Sequence, residues 1–479
     1  MEAPTDFSFL APLLLAIAIA LLFSLNRFLS PGPKNLPPGS LGWPVIGETL
    51  QFLFGTPEKF ISHRMKKHSP QIFKTNILGE NTVVLCGPAG HKFLFSNEQT
   101  IFTVFRPHSI QKLFREPKGR TVIQPNSAGV TKLMRSPGFL KPEALVRYVG
   151  KMDSFTQNHI RAYWEGRELV HAFPLAKSLT LSLACSFFLG TDDPTRIARL
   201  VGSFDDVTVG LHSFPLNFPG TVFRRSMTAA GVIRGELIAI IREKKAAIAG
   251  GAPLLDILSH LIVATDPSSG NHMAESEIAG KVMGLLVAGY STVATAITFF
   301  LKYVGERSDI YAKVLAEHRE ISGRKKAGEL LEWDDFQGMK YSWNVVQEVM
   351  RLTPPLQGAF REALTEFSYG GYTVPKGWKV YWTVSTANMD PDYFPDPERF
   401  DPSRHDQVDN NKTAAFALVP FGGGPRMCAG KEYARLAILT FVHNVVTRFQ
   451  WEAVVAGEKV VGDMMPTPQL GLPLRLQQH

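Results

Sequence analysis

The first strong pattern in the chain is an unbroken apolar run, Phe7 to Leu25 (FSFLAPLLLAIAIALLFSL), nineteen residues without a charge. At about 1.5 Å per helical residue it reaches most of the way across a hydrocarbon core of roughly 30 Å, enough for one membrane-spanning helix. A cleaved signal peptide is the competing reading. The run exceeds the usual apolar region of such a peptide, however, and no basic segment precedes it. Glu2 and Asp6 lie before the run and Arg27 and Lys34 after it, so the positive-inside bias puts the rest of the chain in the cytosol and the N-terminus in the lumen. Residues 1–29 therefore read as an anchor, 30–48 as a hinge and 49–479 as a single body. In the hinge, PGPKNLPPGSLGWPVIGE (Pro31 to Glu48), prolines fix the backbone and glycines permit tight turns, which gives a stiff non-helical connector. The sequon at Asn411-Lys412-Thr413 is inert if the body is cytosolic.

Past the hinge, helical periodicity dominates. β-rich pieces occur at Gln71–Ile77, Asn81–Cys86 and around Tyr369–Thr383, where Gly370-Gly371 and Pro375-Lys376-Gly377 supply turns. The spacing predicts its longest helix over Glu275–Glu306, apolar around much of its circumference and so central in the fold. Tyr290, Ser291, Thr292, Thr295 and Thr298 make the stretch from Leu286 to Phe300 too polar for a second membrane span. No repeat, charge run or second linker divides the body. The expected fold class is mainly α with small β-sheets, preceded by one transmembrane helix.

Composition narrows the classes. With 45% hydrophobic and 20% charged residues over 479, a disordered tail and a polytopic bundle are both excluded. The formal charge of +8 fits an anionic membrane face, an acidic protein partner or nucleic acid. Its basic residues do not cluster with aromatic stacking motifs, which argues against a nucleic-acid module. Cys86, Cys185 and Cys428 are too few and too far apart for a disulfide framework, as suits a reducing compartment.

The densest chemical signal is Phe421-Gly422-Gly423-Gly424-Pro425-Arg426-Met427-Cys428-Ala429-Gly430, which leads into an apolar helical pattern through Tyr433, Leu436, Ala437, Phe441, Val445 and Phe449. A cysteine at a glycine-rich entry to a helix meets backbone N–H groups and the positive helix end, both of which favour thiolate, and thiolates ligate metals. No Gly-Lys-Ser/Thr follows to make a phosphate loop. No CxxC pair or nearby histidine completes an all-protein zinc site. One sulfur suffices where a porphyrin supplies four nitrogens. Upstream, Glu348-Val349-Met350-Arg351 places an acid and a base three apart on one helix face, either an exposed pair or part of a buried charge cluster that Arg399, in Pro397-Glu398-Arg399-Phe400, could complete.

These segments carry a resemblance. The glycine-rich stretch matches FxxGxRxCxG, the heme-ligand signature of cytochromes P450, at every fixed position, and ExxR and PERF are further marks of that family. The resemblance spans essentially the whole chain and implies the P450 fold and a heme b with Cys428 as axial thiolate on iron. Phe421, Gly422, Gly424, Arg426 and Gly430 would then surround the cofactor, and Glu348, Arg351 and Arg399 would be structural. Arg426, Arg361 and Arg135 are implied partners of the heme propionates. The family usually has tryptophan four residues before the last of these, where this chain has Thr131, so Arg135 departs from type.

The family's oxygen-activation pattern, Ala/Gly-Gly-x-Asp/Glu-Thr, appears as Ala288-Gly289-Tyr290-Ser291-Thr292. Gly289, Ser291 and Thr292 are the implied catalytic set. Gly289, with no side chain, lets the helix open beside heme; Thr292 holds water or oxygen by hydrogen bond, unless it is a back-bonding core residue. The acid is replaced by Ser291, so water chains or the serine hydroxyl would have to relay protons. The resemblance further implies electrons from NADPH-cytochrome P450 reductase, docked on a cysteine-side face to which Lys431 and Arg435 contribute. It also implies attachment to the endoplasmic reticulum membrane through the single N-terminal anchor, which contacts lipid, and a hydrophobic small-molecule substrate. The stretches from Gly323 to Pro355 and from Phe139 to Asp153 resemble plant P450s of the terpenoid and steroid clan, such as the β-amyrin 28-oxidases. That implies hydroxylation of a polycyclic terpenoid, a triterpenoid foremost. Candidate walls are Ile101–Gln124, Leu285–Thr295, Pro354–Phe360 and Met465–Leu470. Two alternatives stay open: a heme-thiolate isomerase, dehydratase or peroxide-using enzyme, distinguished by independence from NADPH, and a heme-binding protein without turnover.

Overall fold

The structure is a computed structural model and describes residues 35–43, 46–54, 56–114, 140–211, 213–265, 271–406, 416–462 and 464–479. The expected anchor, the first residues of the hinge, Arg135 with Thr131, the wall positions 115–124 and the sequon at Asn411 lie outside the described residues. The chain packs as two compact units: one runs to Phe105 and takes in Gly358–Thr386, the other comprises Arg106–Gln357 and Ala387–His479. None of the three crossings between them is marked by a linker in the sequence, which is why the body reads as one domain.

Alternation builds the first unit. Strands β1 (Ile72–Ile77) and β2 (Glu80–Leu85) pair antiparallel, with Ile77 opposite Glu80. Leu78 and Gly79 between them both have positive φ, as a two-residue hairpin turn of the type that follows strand twist requires. With β3 (Phe102–Val104), β4 (Gly358–Ala363) and β5 (Lys379–Thr383) they form one sheet in the order β1-β2-β5-β4-β3, parallel only between β2 and β5. Both β-rich pieces expected early in the chain, and the later one, lie in this unit; Phe367–Tyr369 and Tyr372–Val374 make a separate hairpin. The described part of the hinge is also built in. Lys74 N–H donates to Pro38 C=O at 2.8 Å, and a Cβ on Gly39, at φ +135°, would come within 2.1 Å of the Lys74 carbonyl oxygen, so only glycine fits. Glu48, the last hinge residue, is buried and takes a 2.7 Å ion pair from Arg64 of α1 (Pro57–Lys67).

Helical periodicity builds the second unit. Its main helices are α2 (Val149–Tyr163), α3 (Ala172–Ala184), α4 (Pro194–Leu211), α5 (Val222–Ala249), α6 (Glu275–Gly305), α7 (Ser308–Gly323), α8 (Lys340–Leu352) and α9 (Lys431–Val446). The predicted Glu275–Glu306 helix is α6, one residue shorter. Glu275 and Glu277 in its first turn suit the positive end of the helix dipole. Ile278, Val282, Leu286, Ile297, Phe300, Leu301 and Val304 are completely buried along it, each contributing about 1.5–3 kcal/mol. The polarity of α6 does not by itself rule out a membrane span, as its sequence suggests it does, because length and composition would let the helix cross; it is the protein covering 78% of its most apolar window that marks a core helix. It packs on α3, α5, α8 and α9. Its last turn is pinned by Trp451, whose indole N–H donates to Leu301 C=O at 2.8 Å, and a Cβ on Gly305 would press to 2.8 Å from that ring.

One sequence expectation is corrected here. The helical pattern after Cys428 predicts a helix through Phe449, but α9 stops at Val446 and Phe449 opens the strand Phe449–Ala453. Phe449 and Trp451 are buried while Gln450 and Glu452 are exposed, a period of two that pairs with Pro473–Gln478 in a three-stranded sheet completed by Leu169–His171. A single phenylalanine three residues past a helix satisfies both periods, and pairing with the distant C-terminal strand decides between them.

Candidate heme-thiolate site

The cysteine loop is folded by its glycines and by one backbone bond. Gly422 and Gly424 have φ of 70° and 61°, a region that side chains disfavour, and let the chain reverse twice before a short turn at Gly424–Arg426. Cys428 N–H donates to Phe421 C=O at 2.8 Å and closes the loop; Ala434 N–H to Gly430 C=O, also 2.8 Å, begins α9. Phe421 anchors the loop by stacking on Trp343 of α8 at 6.4 Å. Gly430 has an ordinary φ of −91°, and a Cβ there would sit in plain contact with the Cys428 sulfur at 3.9 Å. No backbone strain requires glycine there.

Cys428 is exposed, whereas Cys86 and Cys185 are buried. Desolvation by the surrounding loop raises the Cys428 thiol above its ordinary value, opposed by a hydrogen bond from Gly430 N–H. The Gly430 N–H bond is the thiolate-favouring contact expected at the helix entry, and bound iron would stabilise the same charge. Arg426 supplies a second open valence, since its Nε is buried without a hydrogen-bond partner.

The Ala288–Thr292 turn, where the resemblance expects the oxygen-activation groove, lies at the middle of α6. Along this otherwise buried helix Ala288 is exposed and Gly289 and Thr292 are half-buried. Thr292 Oγ donates to Ala288 C=O at 2.8 Å, so the back-bonding geometry is real, but at the edge of the helix's buried surface rather than in the core. A Cβ on Gly289 would meet the Phe188 ring at 3.3 Å and Tyr433 at 3.9 Å. Its missing side chain thus lets α6 approach Phe188 and Tyr433, the latter in the first turn of α9 directly after the cysteine loop. Ser291 is buried on another face, its hydroxyl 3.9 Å from the Met465 sulfur, and no hydrogen bond joins it to Thr292.

Glu348 and Arg351 form the buried cluster rather than an exposed pair. Both side chains are fully buried, with Arg351 Nη2 2.7 Å and Nε 2.8 Å from the two carboxylate oxygens. Arg351 also donates to the carbonyls of Asn388, Pro397 and Arg399 at 2.8, 2.7 and 3.2 Å. Glu348 further accepts from Asp401 N–H and meets His405 Nε2, both at 3.0 Å. Arg399 is corrected in kind: it joins through its main-chain carbonyl, and its side chain is exposed. His405 and Arg404, which the sequence did not single out, also meet Glu348, through Nε2 at 3.0 Å and Nε at 3.4 Å. Burial by itself would raise the Glu348 carboxyl, but the bonds from Arg351 and His405 hold it down at about 2. In the other unit, Arg361 on β4 is buried and paired through Nε with Glu98 at 2.6 Å. Arg435 pairs with Glu432 on its own helix at 2.9 Å.

The donor set fits heme. An exposed thiol with room at its sulfur suits the iron, and an unpartnered guanidinium nitrogen two residues earlier suits a propionate. No cluster of three or more His, Cys, Asp or Glu side chains occurs among the described residues to offer an all-protein metal site instead. A polar cavity of about 210 Å³ between α2, α9 and residues 325–331 is a different kind of place. Its most buried charge, Asp153, already accepts from Gln157, Leu331 N–H and Asn444.

Comparison with known proteins gives the same direction. A family model described as cytochrome P450 matches residues 37–475. A beta-amyrin 28-monooxygenase of Medicago truncatula is 46% identical, covering 100% of both chains. Another from Vitis vinifera is 48% identical over 97% of this chain and 96% of its own. Among solved structures, retinoic acid bound cyanobacterial CYP120A1 is similar with TM-score 0.81 and 31% identity, over 93% of this chain and 100% of that one.

Proposed function

This chain belongs to the cytochrome P450 family, and on that premise we propose that it is a monooxygenase oxidising β-amyrin or a close triterpenoid relative at position 28, with electrons from NADPH-cytochrome P450 reductase. The observation that carries the substrate is identity of 46% and 48% to two plant proteins named for that reaction, along almost the whole length of each. Heme bound through the Cys428 sulfur supplies the oxygen-activating iron. The chain's own residues do the rest. Arg426 holds a propionate with its unpartnered nitrogen, and Gly430 leaves the sulfur accessible. Thr292 gives up its bond to Ala288 C=O to hold or pass a proton at Oγ, with water chains or the Ser291 hydroxyl delivering that proton in place of the missing acid. Phe421 and its stacked partner Trp343 shield one side of the cysteine loop.

Arg361 and Arg135 remain proposed propionate partners, although the pairing of Arg361 with Glu98 makes Arg426 the better-supported cation. We also place residues 1–29 in the endoplasmic reticulum membrane as a single-pass anchor, with 49–479, both compact units included, as the cytosolic catalytic domain. Reductase-independent chemistry has no specific observation in its favour: the missing acid is its motive, and Thr292 stands at the groove regardless. The test is expression of the full chain with a plant reductase in yeast that makes β-amyrin, with products identified by mass spectrometry. NADPH-dependent oxidation at position 28 is expected. Untouched β-amyrin alongside oxidation of another cyclised terpene would overturn the substrate, and product formed without NADPH would overturn the reaction.

A further inference from the structure

The groove turn is held from behind by side chains that no motif of the family includes. At about 100° per residue, position 290 lies roughly 200° around the helix from Ala288, on the face away from the exposed residues. Tyr290 is completely buried there, and its hydroxyl donates to an Asp205 carboxylate oxygen on α4. The same oxygen takes a 2.8 Å bond from Lys177 of α3, whose ammonium also lies 4.7 Å from the Phe173 ring centroid. The main-chain carbonyl of Tyr290 is engaged too: Thr180 of α3, 1% exposed, donates its hydroxyl to it at 3.0 Å. Two helices thus grip one residue, one by its ring and one by its backbone. The turn they grip carries Thr292, itself bonded to Ala288 C=O. Burial and the Asp205 charge both push the Tyr290 hydroxyl above its ordinary value, so it remains a donor throughout the working pH range.

We propose that Tyr290 is a positioning residue for oxygen activation: with Asp205 and Thr180 it fixes the back of the Ala288–Thr292 turn and so sets where the Thr292 hydroxyl stands. In a groove that lacks the acid, the Thr292 hydroxyl and water carry the protons, and the turn that orients them cannot be allowed to wander. This inference rests on the monooxygenase reading. Its consequence is a loss of coupling: a turn free to shift releases more reducing equivalents as peroxide and fewer as product. The hydroxyl contributes one hydrogen bond to a charged acceptor, so its loss should lower product per NADPH on the order of fivefold.

The test compares the full-length wild-type chain with Tyr290→Phe, Asp205→Asn, the double variant, Thr180→Val and Thr180→Ser, each reconstituted with reductase. NADPH, peroxide and product are counted on whichever triterpenoid the wild type oxidises, β-amyrin first. A second readout needs no turnover: the C–O stretching band of the carbon monoxide complex, which senses hydroxyls near the bound gas. Tyr290→Phe and Asp205→Asn should each lower coupling about fivefold and broaden or shift that band, with substrate affinity from the spectral shift changed less than twofold. The double variant should be no worse than either single, Thr180→Val should resemble them, and Thr180→Ser should restore wild-type behaviour. Wild-type coupling and band in Tyr290→Phe would overturn the proposal. So would a double variant as bad as the product of the two singles, or a Tyr290→Phe protein that cannot hold heme, which would make the hydroxyl a folding element. A wild-type chain that oxidises no triterpenoid would instead fail the substrate assignment and leave the carbon monoxide band to decide the positioning role.

Discussion

The Glu348 cluster and the Cys428 loop both join a helix end to an irregular segment, yet they treat their polar atoms in opposite ways. In the cluster, two fully buried side chains share two charge-assisted bonds, and loop carbonyls, a backbone N–H and His405 bond them further, although Arg404 Nε at its edge has no hydrogen bond. In the cysteine loop the thiol is exposed and a neighbouring guanidinium nitrogen has no partner. A network whose two central buried charges bond each other and fixed main-chain groups serves to fix one conformation. A site with open valences is stable only as far as the rest of the fold carries it, and gains when something binds.

The contrast breaks most sharply if the two regions respond alike to losing an arginine. Arg351→Ala strands the Glu348 carboxylate in the interior, a cost of about 3–5 kcal/mol, and should leave no soluble, thermally cooperative protein. Folding of that variant with a melting temperature near wild type would remove the cluster's structural role. Acid is the next largest probe, and it should act on the closed network and the packed core. Glu348 at about 2 binds fewer protons folded than unfolded, so its contribution is complete above the ordinary carboxyl value of 4.5 and is lost as pH falls from there toward 2. His443 at about 4 and His318 at about 3 are kept neutral by burial and bonded to each other at 3.1 Å. Unfolded histidine takes protons below its ordinary 6.5, so both add a destabilising slope beginning near that pH. Scanning calorimetry should show the melting temperature falling below about pH 6.5 and more steeply below about 4.5; a flat profile down to pH 4 contradicts this assignment.

Much of this was legible locally. Helix α6, the early strands β1 and β2 and the cysteine loop announce themselves through periodicity, β-rich composition and a contiguous motif, because the physics that forms them acts over a few residues. What closes the sites was not legible. Asp401 and His405 reach Glu348 across more than fifty residues, Thr180 reaches Tyr290 across 110, and Glu98 reaches Arg361 across 263. Nothing in a local pattern selects one threonine or one acid from many as the partner of a distant atom. Arg399 shows the same limit in miniature, since the motif marks the residue and the fold uses its carbonyl while leaving its charge outside.

Smaller effects sharpen the comparison. Arg426→Ala should fold with near-wild-type helicity, yet release heme to apomyoglobin roughly tenfold faster, because it removes one charge-assisted bond from the ligand and none from the fold. Loss of folding in that variant would place Arg426 with the cluster instead. Arg399→Ala should change stability by less than about 0.5 kcal/mol in chemical denaturation, since the carbonyl it contributes survives the substitution. A cost several times larger would return its guanidinium to the network.

The central claim concerns one sulfur, and the absorption difference spectrum of the reduced protein with carbon monoxide tests it most directly. The wild-type chain should give the red-shifted band of a thiolate-ligated heme, and Cys428→Ser should lose that band while Cys86→Ser and Cys185→Ser keep it. A wild type without the band, or a Cys428→Ser protein that retains it, contradicts the account.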